Sequence, residues 1–435
     1  MIVEEAIAFV KGLDGWEFIF YFWPFFLFDL TRYVSLDLIF IPRYMLRKRA
    51  LATLHRRARS RLFRERPLVS VIVPGKNEGR HIPALAESLA RQTYRNLELV
   101  IVDDGSDDNT PHICRKLVSE GKITRFIRNE VRGGKASAAN TAYLHSRGKY
   151  IVHLDADSHL HIDAIENILL PFFLDPGLGA VGGDIRVSNI ETSLATELQT
   201  IEYMKSLSTG RTVGSELGIL RIISGAFGAF RRDVLDQIGG WDVGPGLDGD
   251  LTVKIRKLGY RVTHQPEAAC YTNVPDSFLK LARQRYRWDR SLVRFRMRKH
   301  RDILLPSASF RFKNFLSSFE NITYNFVLDI KWFIYVVQIT LFYPHQFAMI
   351  FVINYTLYLM ANVIEFSVAV ALLRRTLRRQ EILLFIYLPL MPLYMGFYIR
   401  GVRTYAYLME LIHGASYRDR WNPWKVSSIA KKEHL

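Results

Sequence analysis

Cysteine is scarce in this chain, with two residues, Cys114 and Cys270, among 435. So few thiols exclude a disulfide framework, and their spacing excludes a zinc-binding pattern, which suits a reducing compartment. Acidic residues are also in the minority, 42 Asp and Glu against 59 Lys and Arg, for a net charge of +17. The surplus is local. Residues 43–66 hold ten basic side chains and one acid, residues 283–301 hold nine and one, and together they account for all of it. No RNA- or DNA-binding motif accompanies these arginines, so nucleic acid is not an expected partner. A cleavable signal peptide is not expected either. Glu4 and Glu5 stand where its basic start would be, and no small-residue cleavage site follows the first apolar stretch.

Apolar residues are plentiful, at 49% hydrophobic and 13% aromatic, more than one soluble domain requires. They concentrate in four candidate membrane segments: 16–42, interrupted by Asp29, Arg32 and Asp37, then 324–343, 347–373 and 382–412. Both basic blocks border such segments, where Lys and Arg favour the cytoplasmic side and anionic lipid headgroups. Arg374, Arg375, Arg378 and Arg379 form a compact loop that marks a cytoplasmic turn, so the first three crossings run inward, outward and inward. The last segment carries Pro389, Pro392, Arg400 and Arg403. It crosses once, breaks into two half-spans, or partly lines an aqueous passage.

Between the basic blocks, LVSVIV at 68–73, LELVIV at 97–102 and YIVHL at 150–154 read as buried strands, with helices at 82–92, 111–120 and 136–146. The alternation is Rossmann-like, and such sheets collect ligands at the C-terminal ends of their strands. Polar clusters fall there. Pro74, Asn77 and Glu78, in PGKNE, suit a ribose or base. Asp103 and Asp104, in VDDGSDDNT, suit the imide proton of uracil or a ribose hydroxyl. Lys135, after two glycines and before a helix, suits a phosphate. Any one cluster alone is an ordinary loop; their shared position after successive strands is what points to a nucleotide-sugar site.

Asp155 and Asp157 end the third of these strands, and carboxylates two residues apart in a loop suit one hard cation, Mg²⁺ or Mn²⁺, bridging a diphosphate. His159 and His161 read as loop surface. Further on, Asp248 and Asp250 open a helix that stops at Gly259, with Asp248 expected at the N-cap. A carboxylate kept ionised by the helix dipole suits the base that takes a proton from an attacking sugar hydroxyl. Simple capping is the other reading of the pair. In QRYRW (284–288), Arg283, Arg287, Arg290, Arg294 and Arg298 form one helical stripe, and Leu281, Trp288, Leu292 and Phe295 another, as in a helix lying in a membrane interface. Trp288 offers a flat face to a sugar, and Arg285 or Arg287 a cation to the diphosphate.

Taken in order, PGKNE, VDDGSDD, GGK, DAD, LDGD and QRYRW resemble the processive family-2 glycosyltransferases, the group of cellulose, hyaluronan, chitin-oligosaccharide and poly-N-acetylglucosamine synthases. The resemblance covers about residues 66–300. It implies an α/β GT-A (Rossmann-like) cytoplasmic domain combined with an α-helical transmembrane region and amphipathic interface helices. By that likeness, Asp104 contacts the base, Asp155 and Asp157 the diphosphate and metal, and Asp248 is the base with Asp250 nearby. Gln284, Arg287 and Trp288 bind the terminal acceptor sugar and the diphosphate, and Ser224 and Gly225 line the acceptor path.

The expected division is a transmembrane segment at 1–45, a basic juxtamembrane linker at 46–66, the GT-A domain at 67–275, interface helices at 276–320, transmembrane helices at 321–415 and a tail at 416–435. The implied partners are a UDP-sugar donor, a growing polysaccharide acceptor and membrane lipids, at a bacterial inner membrane. UDP-glucose and UDP-N-acetylglucosamine lead as donors, with a GDP-sugar or two alternating donors still open. One feature departs from the family pattern: Leu247 stands where a glutamate usually precedes the catalytic aspartate, and a shifted register would make Asp250 the base. The membrane part is small, and no regulatory domain is visible after Trp424, so a homo-oligomer or an accessory export protein would complete a channel. A non-processive glycolipid transferase similar to ceramide glucosyltransferases, and an inactive relative, are the competing functions.

Overall fold

The computed structural model describes residues 2–242, 246–306, 310–418, 428 and 431. Gly244 and Pro245 of the loop before Asp248, and most of the expected tail at 416–435, lie outside the described residues.

Eight strands form one sheet: β1 (Val69–Gly75), β2 (Leu97–Asp103), β3 (Arg125–Arg128), β4 (Tyr150–Leu154), β5 (Ser158–Leu160), β6 (Leu178–Val187), β7 (Phe227–Arg231) and β8 (Arg261–Thr272). Their order is β3-β2-β1-β4-β7-β6-β8-β5. The first four strands run parallel, and the register sets Gly75 beside Asp103. The loops after β1, β2 and β4 therefore leave the same edge. β7 enters antiparallel beside β4, pairing Phe227 with Leu154, which lays the preceding Ser224–Ala226 against Asp155. Val69, Val71 and Val73 face one core and Ile72 the other, so these β-branched runs are buried on both sides as expected.

The basic block at 43–66 is not a free linker. Helix Ala52–Glu65 buries Ala58 and Leu62 in the core cluster that also holds helix Ala164–Leu174, and Arg59 lies 2.5 Å from Glu166. Arg47 pairs with Glu216 and Lys48 with Glu267, so acids of the α/β domain partly neutralise the block.

Among the described residues, three helices are long and apolar enough to cross a membrane: Phe312–Phe342, Phe347–Leu372 and Arg379–His413. The first begins before residue 321, so the expected boundary between interface and membrane helices falls inside one continuous helix. The N-terminal segment is helical but is not one of the three. Its Phe22 and Phe25 pack on Tyr335, Ile350 and Ala361, while Arg32 turns inward to Glu320 at 2.5 Å. Inward-facing charge is how an ionisable residue is tolerated in such a bundle.

Helix Arg379–His413 meets the α/β domain and its interface helix along its whole length. Glu381 lies 2.5 Å from Arg186 of β6, the Tyr394 hydroxyl donates to Glu202 at 2.8 Å, and Glu410 accepts from Arg298 at 2.8 Å. One end thus pairs with the α/β domain and the other with the segment that follows its interface helix. The arginine turn before it sits on the domain's side as expected, with Arg375 3.3 Å from Glu267.

Arg186 and Glu381 are both fully buried. Replacing Glu381 by Gln leaves the buried guanidinium with Asp184, 3.5 Å away, as its remaining carboxylate, and is expected to destabilise the fold by about 3 kcal/mol. A lowered melting temperature of the detergent-solubilised protein checks this, and an unchanged melt would refute it.

Candidate active site

Each parallel strand delivers one polar loop to the common edge. After β1, Asn77 adopts a left-handed backbone (φ +61°), its N–H donates to Ser106 Oγ at 2.8 Å, and its side-chain oxygen accepts from Asp107 N at 2.9 Å. After β2, Asp103 is buried and accepts from the Ser106 N–H at 3.0 Å, so it shapes its own turn. Asp104 accepts from Gly133 N at 2.8 Å and Gly134 N at 2.7 Å, which latches the glycine loop in front of helix Lys135–Leu144. Lys135 then reaches Asp155 at 2.5 Å.

Asp155 and Asp157 lie close to Glu78, and the three carboxylates repel one another. Burial first, then Asp157 and Asp155, raise Glu78 to about 7; burial first, then Asp155, raise Asp157 to about 6. Lys135 is the cation that partly offsets them. Among the described residues no three His, Cys, Asp or Glu side chains converge as a ready metal cluster. A pair of carboxylates in a surplus of negative charge, with ligand oxygens completing the shell, fits a divalent cation.

Asp248 and Asp250 separate sharply. The helix Leu247–Lys257 is capped by Gly246 (φ +81°), so Asp248 lies inside the first turn and not at the N-cap. Its carboxylate lines the large cavity, makes no hydrogen bond among the described residues, and lies against Gly225 so closely that a Cβ there would collide with it. Gly246 is equally constrained, because a Cβ would strike the ring of Phe295 and approach Ser291 Cβ at 2.8 Å. Gly246 is thereby pressed onto the helix that bears QRYRW and its continuation.

Asp250 is turned away from that cavity. It is 2% exposed and bonded to His300 at 2.7 Å and Lys299 at 3.0 Å. Burial opposes its ionisation, but the hydrogen bond to His300 and the charges of Lys299 and Lys254 outweigh it and hold Asp250 at about 2. Asp250 is thus enclosed among His300, Lys299 and Lys254, while Asp248 lines the cavity.

QRYRW lies on helix Phe278–Leu292. Gln284, Arg287 and Trp288 line the cavity, as does Ser224, whose hydroxyl accepts from Ala226 N at 3.3 Å. Arg285 also lines the cavity, where it pairs with Glu202 at 2.9 Å and stacks over Trp288 at 4.9 Å, so it holds the tryptophan platform. The arginine stripe is divided. Arg290 and Arg294 are buried, with Arg290 donating to Ala415 O at 2.6 Å, whereas Arg283 is exposed.

These residues share one cavity of about 1380 Å³. It continues past Trp288 among the membrane helices to Asn362, Asn354 and Phe351. Its charged lining, including Arg32, Lys205, Arg221, Glu320 and Glu365, escaped the sequence reading. Asp29, Arg32 and Asp37 were legible only as interruptions of an apolar run, although charge within such a run is itself the signal for an inward-facing site.

Replacing Gly225 by Ala is expected to lower turnover at least 100-fold with little change in melting temperature, read from initial rates. The Asp250→Asn variant should do the opposite and mainly lose stability, on the order of 2 kcal/mol at neutral pH. Because the folded value lies below the usual carboxylate value, this contribution is full above about pH 4 and fades toward pH 2. The melting difference between variant and parent should narrow over that interval.

Residues 70–239 match the model of glycosyl transferase family 2. The chain is 31% identical over 222 residues to a poly-beta-1,6-N-acetyl-D-glucosamine synthase of Staphylococcus epidermidis, covering 51% of this chain and 53% of that protein. It is 30% identical over 267 residues to the synthase of the same description in Staphylococcus aureus strain COL, covering 61% and 62%. The match thus spans between about half and three-fifths of these relatives' length. Among solved structures, the mannosyltransferase PcManGT from Pyrobaculum calidifontis, in complex with GDP-Man and Mn²⁺, aligns at TM-score 0.54 and 22% identity over 83% of this chain and 97% of its own. That likeness is one of fold. Over residues 70–239, then, this chain is similar to glycosyl transferase family 2.

Proposed function

We propose that the chain is an inverting, processive glycosyltransferase of a bacterial inner membrane, with its α/β domain on the cytoplasmic side. It would polymerise a sugar from a UDP-sugar into an exported polysaccharide. The observation that carries this reading is the single cavity that joins Asp155, Asp157 and Asp248 to Trp288 and then to the membrane helices. From Glu365 to Phe351 the lining follows helix Phe347–Leu372 for about 20 Å at 1.5 Å per residue, to within about one turn of its far end. Tyr355, Tyr358, Asn354 and Asn362 give that mostly apolar passage hydroxyls and amides along its length, which suits a sugar chain. One chain would also provide the path, without the second copy or accessory protein that a small membrane part implies. The names of the staphylococcal relatives favour UDP-N-acetylglucosamine over UDP-glucose as the donor.

In this reading the donor lies across the strand edge, its nucleotide near the loops of Asn77 and Asp104 and its diphosphate near Lys135. Asp155 and Asp157 would hold Mg²⁺ or Mn²⁺, which supplies positive charge to the leaving diphosphate. The terminal acceptor sugar stacks on Trp288. Asp248 accepts the proton of its hydroxyl as that oxygen bonds to the anomeric carbon, and the bond from that carbon to the diphosphate breaks, releasing UDP. One displacement inverts the anomeric centre. With no hydrogen bond of its own to break, the Asp248 carboxylate is ready to take that proton.

The test is a donor screen on protein in lipid nanodiscs, with each UDP- and GDP-sugar singly and in pairs, recording nucleotide release and product size. High-molecular-weight product from UDP-N-acetylglucosamine is expected, lost with EDTA and reduced at least 1000-fold by Asp248→Asn. Short or lipid-linked products alone would move the chain to the glycolipid class, and activity surviving Asp248→Asn would refute the mechanism.

A further inference from the structure

Among the described residues, Arg211 is a cavity cation with neither an ion pair nor a full set of hydrogen bonds. Arg211, on helix Gly210–Glu216, lines the cavity between the α/β domain and the membrane helices. Its Nη1 is buried without a hydrogen-bond partner, and it forms no ion pair among the described residues. Its neighbours differ: Arg221 lies 2.9 Å from Glu320, Arg285 2.9 Å from Glu202, and Arg32 2.5 Å from Glu320. Burial lowers the pKa of Arg211, with the charges of Asp184 and Asp248 acting in the other direction. An enclosed guanidinium without a carboxylate partner costs several kcal/mol, unless something that binds there supplies oxygens.

Three further features indicate what that is. Gln284 Oε1, in the same cavity, is likewise buried with no donor to accept from. The ring of Trp288 is exposed, and the Asp248 carboxylate is unbonded. An orphan donor, an orphan acceptor and a flat apolar face together suit a hexose, which carries hydroxyls of both senses around a ring. Asp248 also joins two fields. Lys135 feels Asp155, Asp248 and Asp157, whereas the carboxylates acting on Arg211 are Asp184 and Asp248. Lys135 and Arg211 thus both feel the charge of Asp248, and both line the same cavity.

We infer that Arg211 binds the terminal sugar of the acceptor, donating to its oxygens and setting the attacking hydroxyl toward Asp248. The inference rests on the proposed transferase activity. Its test uses the full chain in nanodiscs, UDP-N-acetylglucosamine, and a β-1,6-linked N-acetylglucosamine trisaccharide as acceptor. Arg211→Lys, which keeps the charge but loses the planar fork, should raise the acceptor KM at least tenfold, and Arg211→Ala more, with the inhibition constant of UDP within twofold of the parent. An unchanged acceptor KM overturns the inference, as does an equal weakening of UDP, which would put Arg211 in the donor site. If Arg211→Ala does not fold, Arg211→Lys carries the test alone. If the parent turns over no donor, the transferase reading has failed. Trisaccharide binding measured by saturation-transfer NMR then decides for Arg211, with tenfold weakening in Arg211→Lys supporting it, and equal binding or none at all overturning it.

Discussion

Glu202 is the point on which the upper half of the molecule depends. It sits at the end of helix Leu194–Tyr203, is 6% exposed, and takes Arg285 from the interface helix and the Tyr394 hydroxyl from the C-terminal helix. Three elements distant in sequence thus converge on one carboxylate. An acid so buried is tolerated because its partners satisfy it, and removing any of them would strand charge in a low-dielectric space. Arg285 in turn lies over Trp288, so the height and tilt of the indole follow from a charge pair on its far side.

A second anchor fixes the opposite wall. Asp250 holds His300 and Lys299, and Gly246 lets the same helix start press on Phe295. The segment that follows the tryptophan is therefore bolted to the helix that carries Asp248. Between the two anchors, the residues available for chemistry are few and loosely held. Asp248 has no hydrogen bond, Gln284 has an idle acceptor, and Asp155, Asp157 and Glu78 repel one another. Satisfied charge makes the scaffold, and unsatisfied charge makes the site.

That distinction explains what the sequence could tell. Strand ends are readable because a continuous β-branched run followed by Gly, Asp or Asn has few other meanings, and Asp104, Asp155 and Asp157 fall where such ends require. β3 escaped because RFIR is four residues of a charged edge, and β5 to β8 because glycine and polar residues interrupt them. Asp248 and Asp250 were not separable from spacing alone. Two residues along a helix turn the side chain by about 200°, so one points into the cavity and the other away, but which does so depends on packing against Phe295. Arg285 looked free because its partner lies 83 positions earlier, and Arg32 looked like a flaw in an apolar run because Glu320 lies 288 positions later. Long-range pairing of this kind leaves no local pattern.

The helix Arg379–His413 has a mechanical consequence. At 1.5 Å per residue its 35 residues would reach about 50 Å if straight, and Pro389 and Pro392 bend it to follow the domain. A rod pinned near both ends and at its middle cannot pivot about any one pin. Arg400 of the same helix also lies 3.1 Å from Asp329 of Phe312–Phe342, so the domain and that helix are obliged to tilt together.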